Sequence, residues 1–266
     1  MKFRSILAAS AALLLSAVAA QAAQVAALSG DNTISIVDTA AKKVVKSWKI
    51  QGIAGKVVGI DVRPADQQLY ALAEDGVVYT VDTKTGKATM KVKLERMLAK
   101  GVWATVDFNP AADRLRIIGN DGMNLRANVD DGKVIIDGAL KFADSDMHKG
   151  EKPNVVAGAY SNSFKGTKET ALYDIDATIG ALLKQAPPND GVLNAVGKLG
   201  VAKFQTAAFD IWSDGMGKNE AWLMAGDWLL SVDLATGKAT PAVQIKGVKG
   251  VRDIAILPAM GTPKSM

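Results

Sequence analysis

"GIDVRPADQQLYALAEDGVVYTVDTKTGKATMKVKL" (residues 59–94) has a second copy that begins 46 residues later, "TVDFNPAADRLRIIGNDGMNLRANVDDGKVIIDGAL" (105–140), and the two align without a gap. Pro64 falls on Pro110, Leu69 on Leu115, Gly76 on Gly122 and Gly86 on Gly132. Short alternating runs separated by Pro, Gly and Asx-Gly punctuation describe four strands per copy, not helices. A third copy, "AAFDIWSDGMGKNEAWLMAGDWLLSVDLATGKATPAVQI" (207–245), repeats the D-x-x-T-G-K-A-T of the first, and a looser copy spans 156–185.

The two ends complete the pattern. "VAALSGDNTISIVDTAAKKVVKSWKI" (25–50) supplies only the last three strands of a unit, and "VRDIAILP" (251–258) only the first, with Pro258 standing where Pro64 and Pro110 stand. A first strand drawn from the far end of the chain closes a ring of sheets without leaving an exposed edge. The repeat length lies in the range of propeller blades. The sequence therefore predicts an all-β, five-bladed β-propeller, closed by pairing the C-terminal strand with the N-terminal blade. Only "LERMLAKG" (94–101) leaves room for one or two helical turns.

Lys2 and Arg4, the apolar stretch "ILAASAALLLSAVAA" and the small-x-small site Ala20-Gln21-Ala22 read as a secretory signal peptide over 1–22. The expected organisation is that leader, a single propeller domain over 23–258 and a disordered tail over 259–266. The expected location is periplasmic or extracellular. No other stretch approaches the length of a membrane span. With no cysteine in the chain, disulfides, thiolate metal sites and cysteine nucleophiles are excluded. Without Lys2 and Arg4, 30 basic groups face 27 acidic ones, a net charge of +3. The lysines sit mostly in turns with no basic run, so nucleic acid is not an expected partner.

Blade one, "DNTISIVDTAAKKVVKSWKI", resembles the repeat of bacterial YVTN-type propeller proteins. A broader resemblance rests on "VGIDVRPADQQLYAL", "FNPAADRLR", "NLRAN", "PNVVAGAYSNSF" and "PPNDG" and covers nearly all of the chain after the leader. It is to the secreted bacterial family known as domain of unknown function 4394. That resemblance implies a propeller-like fold and export, and implies no activity.

The repeats act as an internal control on each position. One third-strand position reads Ile34, Val78, Asn124, Leu172 and Leu229, and the next along that strand reads Ile36, Thr80, Arg126, Asp174 and Ser231. A second-strand position reads Ala26, Tyr70, Arg116 and Trp222. Blade three alone places guanidinium and amide groups there. Strand alternation sets Arg114 with Arg116 and aligns Asn124, Arg126 and Asn128. An unpaired buried charge costs several kcal/mol, so these groups need partners or a wet cavity. Asp113, Asp121, Asp130, Asp137 and Asp174 offer an internal network. The other reading makes Arg114, Arg116, Asn124, Arg126 and Asn128 a ligand-binding face for an anionic or carbohydrate ligand, since guanidinium presents paired planar donors.

The inner strands carry Asp61, Asp107, Ala159, Asp210 and Ala255 at one level. Facing the channel, the three carboxylates suit a hard cation, Ca²⁺ or Mg²⁺. They also suit the acid and base of a hydrolase or lyase, metal-assisted or not. Backbone amides and arginines are their alternative partners. The lone His148 excludes multi-histidine zinc sites and reads as a solvated loop residue, and the surrounding loop lacks the glycine of an EF-hand. No nucleophile elbow, P-loop or dinucleotide fingerprint is present. Trp212, near an inner-strand end, is a candidate stacking platform. The insertion "QAPPNDGVLNAVGKLG" (185–200) reads as a lid over one channel mouth or as an extended fourth strand with a protruding turn. The chain reads as an exported ligand-binding or protein-interaction module more than as an enzyme.

Overall fold

A computed structural model describes residues 24–258. The predicted leader and tail lie outside them. The chain forms β1 (Gln24–Ser29), β2 (Thr33–Asp38) and β3 (Lys43–Lys49), then β4 (Val57–Val62), β5 (Leu69–Ala73), β6 (Val77–Val81) and β7 (Ala88–Lys93). Blade three follows with β8 (Ala104–Asn109), β9 (Arg114–Gly119), β10 (Asn124–Ala127) and β11 (Val134–Ile136). After the short β12 (Lys141–Phe142) come β13 (Val155–Tyr160), β14 (Leu172–Asp176), β15 (Ala181–Gln185) and β16 (Val192–Lys198). The last blade is β17 (Ala208–Ser213), β18 (Asn219–Ala225), β19 (Trp228–Val232) and β20 (Ala239–Gln244), and β21 (Val251–Leu257) ends the described chain.

These strands make five sheets, antiparallel but for β12, and β21 pairs with β1, Gln24 opposite Leu257, to complete blade one. The predicted five-bladed ring and its closure are both present. The inner strands β21, β4, β8, β13 and β17 are neighbours in that cyclic order. The turns repeat as the sequence does. Asp82 Oδ1 accepts the amides of Lys84 and Thr85, and Asp233 Oδ1 accepts those of Ala235 and Thr236. Both are Asx-turns at the shared D-x-x-T-G-K-A-T motif.

Apolar side chains gather in five clusters, one in each seam between neighbouring blades. Strand alternation forces this: each blade buries both faces, one against either neighbour, so most strand residues are apolar or partnered. The inner strands approach closely. A Cβ added to Gly59 would stand 2.4 Å from Val106 Cγ2, so that position admits only glycine without rearrangement.

Three expectations are corrected. Residues 94–101 form a bend and a turn, with no helix. The only helical turn among the described residues is a 3₁₀ turn at Pro188–Asp190. Leu172 and Asp174 lie on β14, the second strand of blade four. Register puts Tyr173 opposite Ala159 and Lys184 opposite Tyr173, as Arg116 stands opposite Asp107 and Arg126 opposite Arg116. The blade-four equivalents of Arg116 and Arg126 are therefore Tyr173 and Lys184, so blade three is not alone in placing a cation at the second site. Of the two readings of 185–200 the fourth strand holds, as β16, and the lid does not. The segment's 3₁₀ turn packs on blade three, where Asn189 O accepts the Gly138 amide, while β12 adds to β16 as a parallel fifth strand.

Candidate functional site

The inner strand of each blade is a sheet edge, and its channel-side amides need acceptors. At the level of the predicted ring those amides belong to Val62, Phe108, Tyr160, Ile211 and Ile256. Asp61 takes Val62 on Oδ1 and, across the seam, Phe108 on Oδ2. Asp107 Oδ1 takes Tyr160 of the next blade. Asp210 takes Ile211 on Oδ1 and Ile256 of the next blade on Oδ2. Where a blade carries Ala159 or Ala255, the aspartate of the following blade accepts its own next amide instead. Five amides thus occupy five of six carboxylate oxygens, and Asp107 Oδ2 is left over. Two residues earlier along β21, Asp253 takes Ile254 and, across the seam, Ile60. At the matching level of β8, Thr105 Oγ accepts the Gly158 amide.

Asp61, Asp107 and Asp210 are about 95% buried, and each offers an oxygen within 4.8 Å of the others. Among the described residues no salt bridge reaches them or Asp253. Burial, then mutual repulsion, raises Asp61 and Asp107 well above the usual carboxylate range. Burial lifts Asp210 to about 6 and raises Asp253 well above its ordinary value. Such a cluster carries either shared protons or a cation. The ring can hold a metal. Asp61 and Asp210 also line a cavity of about 110 Å³ at one channel mouth, together with Gln67, Ser163, Phe164, Trp212 and Ser213.

The blade-three face is organised differently. Arg116, 2% exposed, donates from Nε to Tyr160 Oη (3.1 Å), from Nη1 to Asn124 Oδ1 (2.9 Å) and Asp137 Oδ2, and from Nη2 to Asn189 Oδ1 (2.8 Å). Arg126 grips Asp137 bidentately, Nε to Oδ2 at 2.6 Å and Nη2 to Oδ1 at 2.9 Å. Asn124 Nδ2 donates to the carbonyls of Gly138 and Pro188. Arg114 donates to the carbonyls of Ala112 and Asp113, and Asn128 Oδ1 caps the Asp130 amide in the turn. Arg116 and Arg126 converge on Asp137, and Asn124 joins Arg116 to the Gly138 and Pro188 carbonyls. Arg114 and Asn128 serve their own turns.

Several residues take roles other than those the sequence suggests, and one is new. Arg63 bridges blades two and three by bidentate contacts to Asp113 (2.8 and 2.6 Å) and Asp130 (3.2 and 2.7 Å). Asp253 was hidden by aligning β21 on Pro258, which puts Ala255 at the ring. Its signal was an acidic residue, next to Arg252, in a strand whose other members are apolar. Asp174 is fully buried with neither carboxyl oxygen hydrogen-bonded, and burial pushes it up to about 8. His148 is half-buried against Phe142, with ring centroids 5.4 Å apart, rather than solvated.

Residues 33–255 match the family described as Domain of unknown function (DUF4394). The chain belongs to this family. No curated protein matches the DUF4394 chain. Solved structures share its outline at low identity. A protein of unknown function from Bacteroides thetaiotaomicron VPI-5482 gives a TM-score of 0.51 at 17% identity, over 84% of this chain and 58% of its own. A second, from Bacteroides caccae, gives 0.45 at 13%, over 86% and 76%. The dihydro-heme d1 dehydrogenase NirN, in complex with DHE, gives 0.41 at 13%, over 86% and 45%. Only the first bears on the DUF4394 chain, and it bears on the fold alone.

Proposed function

We propose that this protein is an exported ligand-binding module whose site is one mouth of the central channel, with Asp61, Asp107 and Asp210 holding a hard divalent cation beneath it. The leader-like residues 1–22 support export. The observation that carries the site is the juxtaposition of three buried carboxylates, free of any salt bridge among the described residues, with a cavity that Asp61 and Asp210 help to line. Mutual repulsion in such a ring is relieved most fully by a cation, and all-oxygen ligation suits Ca²⁺ or Mg²⁺. Oxygens up to 4.8 Å apart fit Ca²⁺ at its usual distance of about 2.3–2.6 Å. Mg²⁺, at about 2.0–2.1 Å, requires them to draw together.

On this reading the blade-three residues Arg114, Arg116, Asn124, Arg126 and Asn128 brace the fold: the arginines and Asn124 donate to carboxylate, amide, phenol and carbonyl groups of the chain itself, and Asn128 accepts a turn amide. A hydrolase or lyase on the same ring would need a carboxyl directed at a scissile bond. Here five of the six oxygens are turned to backbone amides, an arrangement better suited to holding a cation.

Thermal unfolding with Ca²⁺, Mg²⁺ or EDTA tests the proposal. Ca²⁺ at a hundred times its Kd is expected to add about 2.7 kcal/mol, a rise of several degrees in Tm. Asp107→Asn keeps the acceptor for the Tyr160 amide and removes one charge. It is expected to lose the Ca²⁺ response and to be at least as stable as wild type in EDTA. A wild-type transition indifferent to Ca²⁺ at every pH from 6 to 8 would sink the cation site.

A further inference from the structure

We infer that the ligand of the channel mouth is a neutral oligosaccharide, its terminal ring seated over the aspartate ring against Trp212 and its remainder lying in the groove between blades one and two. This rests on the channel reading above and names the ligand class for the same site. The cavity of about 110 Å³ is smaller than the roughly 150 Å³ that accommodates benzene, so it takes the edge of one sugar ring and no more. It does not stop there. Val62, Gln67 and Pro258 line both this cavity and a groove of about 1110 Å³ that runs out between the first two blades. A ligand that fills both is elongated, with one end buried.

The lining selects the chemistry. Trp212, 36% exposed, and Phe164 give apolar faces of the kind that pack against the C–H face of a sugar ring. Ser163, Ser213 and Gln67 bring hydroxyl and amide groups to the same cavity; Gln67 Nε2 already donates to the Pro64 carbonyl and Ser213 Oγ accepts the Gly215 amide, and an apolar ligand would leave their remaining donors and acceptors without water. No lysine or arginine lines the cavity, and its floor is acidic, so a carboxylate or phosphate finds no counter-charge from the chain at the buried end. Neutral hydroxyls can both donate to and accept from these groups. They also replace water on a hard cation, because an oxygen-ligated Ca²⁺ keeps positions beyond three carboxylates. The groove continues the pattern with Thr80, Thr83, Thr89 and Gln68. Lys46, Lys84, Lys87 and Asp82 also line it, with Lys46 turned onto the Trp48 ring, 4.8 Å from the centroid.

The test is to pass the full chain, in Ca²⁺ and in EDTA, over an array of neutral, uronic-acid and sulfated oligosaccharides, and to titrate each hit by calorimetry. Thermal unfolding with Ca²⁺ runs in parallel. The expected result is saturable binding of a neutral tri- or tetrasaccharide in Ca²⁺, at least tenfold weaker in EDTA. Trp212→Ala should weaken it at least tenfold and Trp212→Phe much less, both variants keeping the wild-type circular dichroism. Binding of acidic glycans alone overturns the inference, as does neutral binding indifferent to Trp212→Ala. If Ca²⁺ raises the Tm while no neutral glycan binds, the ligand class is wrong and the cation site stands. If neither Ca²⁺ nor any glycan registers, both fall together.

Discussion

The seams on the two sides of blade three solve one packing problem in opposite ways. Between blades two and three, Tyr70 meets Phe108 edge-on, with centroids 5.1 Å apart, and Val78 is wholly buried. Between blades three and four the equivalent positions hold Arg116, Tyr160 and Asn124, and the aromatic contact becomes a hydrogen bond from guanidinium to phenol. Seam two–three has an arginine as well. Arg63 lies just past the end of β4, where its partner Asp130 is half exposed, while Arg116 within β9 and the side chain of Asp137, just past β11, are both buried. The difference concerns geometry more than stability, since buried ion pairs rarely outperform apolar packing. Arg116 and Asn124 together reach blade three, the inner strand of blade four and the 188–190 turn. An apolar seam fixes no such three-way register.

The largest effect expected from breaking this contrast is at Asp137. Asp137→Ala strands two guanidinium groups, one of them fully buried, and should cost about 3–5 kcal/mol in denaturant unfolding. Asp130→Ala, on the exposed side of the other seam, should cost under about 1 kcal/mol. Comparable losses would mean that the seams do not differ in kind. Converting the polar seam toward its neighbour, with Arg116→Tyr, Asn124→Val and Asp137→Leu together, should recover most of the Asp137→Ala loss.

A smaller, pH-dependent effect is expected at Asp174, in the same seam. Its carboxyl is raised from an ordinary 3.8 to about 8 by burial. Stability from this group is therefore complete below pH 4 and declines as pH rises toward 8, by on the order of 1 kcal/mol per pH unit. Asp174→Asn removes the titration. The variant's Tm should gain on wild type steadily from pH 5 to 8 and level off above. A constant difference across that range would show that Asp174 does not titrate there.

The smallest effect sharpens the aromatic comparison. Tyr70→Phe removes a hydroxyl that donates to Asp66 at 2.8 Å and accepts from Arg63 at 3.3 Å, on the edge of the seam. It should cost about 0.5–1.5 kcal/mol. Tyr160→Phe leaves a buried guanidinium N–H without its acceptor and should cost more, about 1–3 kcal/mol.

What the sequence disclosed follows from which interactions are local. Blades two and three were legible because their turns and apolar alternation repeat residue for residue, and the Asp61, Asp107 and Asp210 ring followed from that alignment. Blade four was misread because its insertion and loose repeat left the strand order undetermined, which placed Asp174 on the wrong strand. The seam contacts were the least legible. Whether Arg116 meets a ligand or Asp137 and Asn189 depends on the register between sheets, and no within-strand pattern encodes it. The exchange of amides around the channel was hidden for the same reason, since each aspartate serves an amide of the next blade.

The closure of blade one carries a further consequence. Gln24 and Leu257 are paired neighbours, so the seam in the covalent chain is an arbitrary cut in a circular object. Every hairpin on the rim is an equally good place for that cut. A circular permutant joining these strands by a short linker and opened at the exposed Gly215–Gly217 turn should assemble the same ring. It would exchange the longest-range pairing in the protein for a local hairpin. Because loop-closure entropy delays distant contacts, the permutant should fold faster while unfolding to the same endpoint.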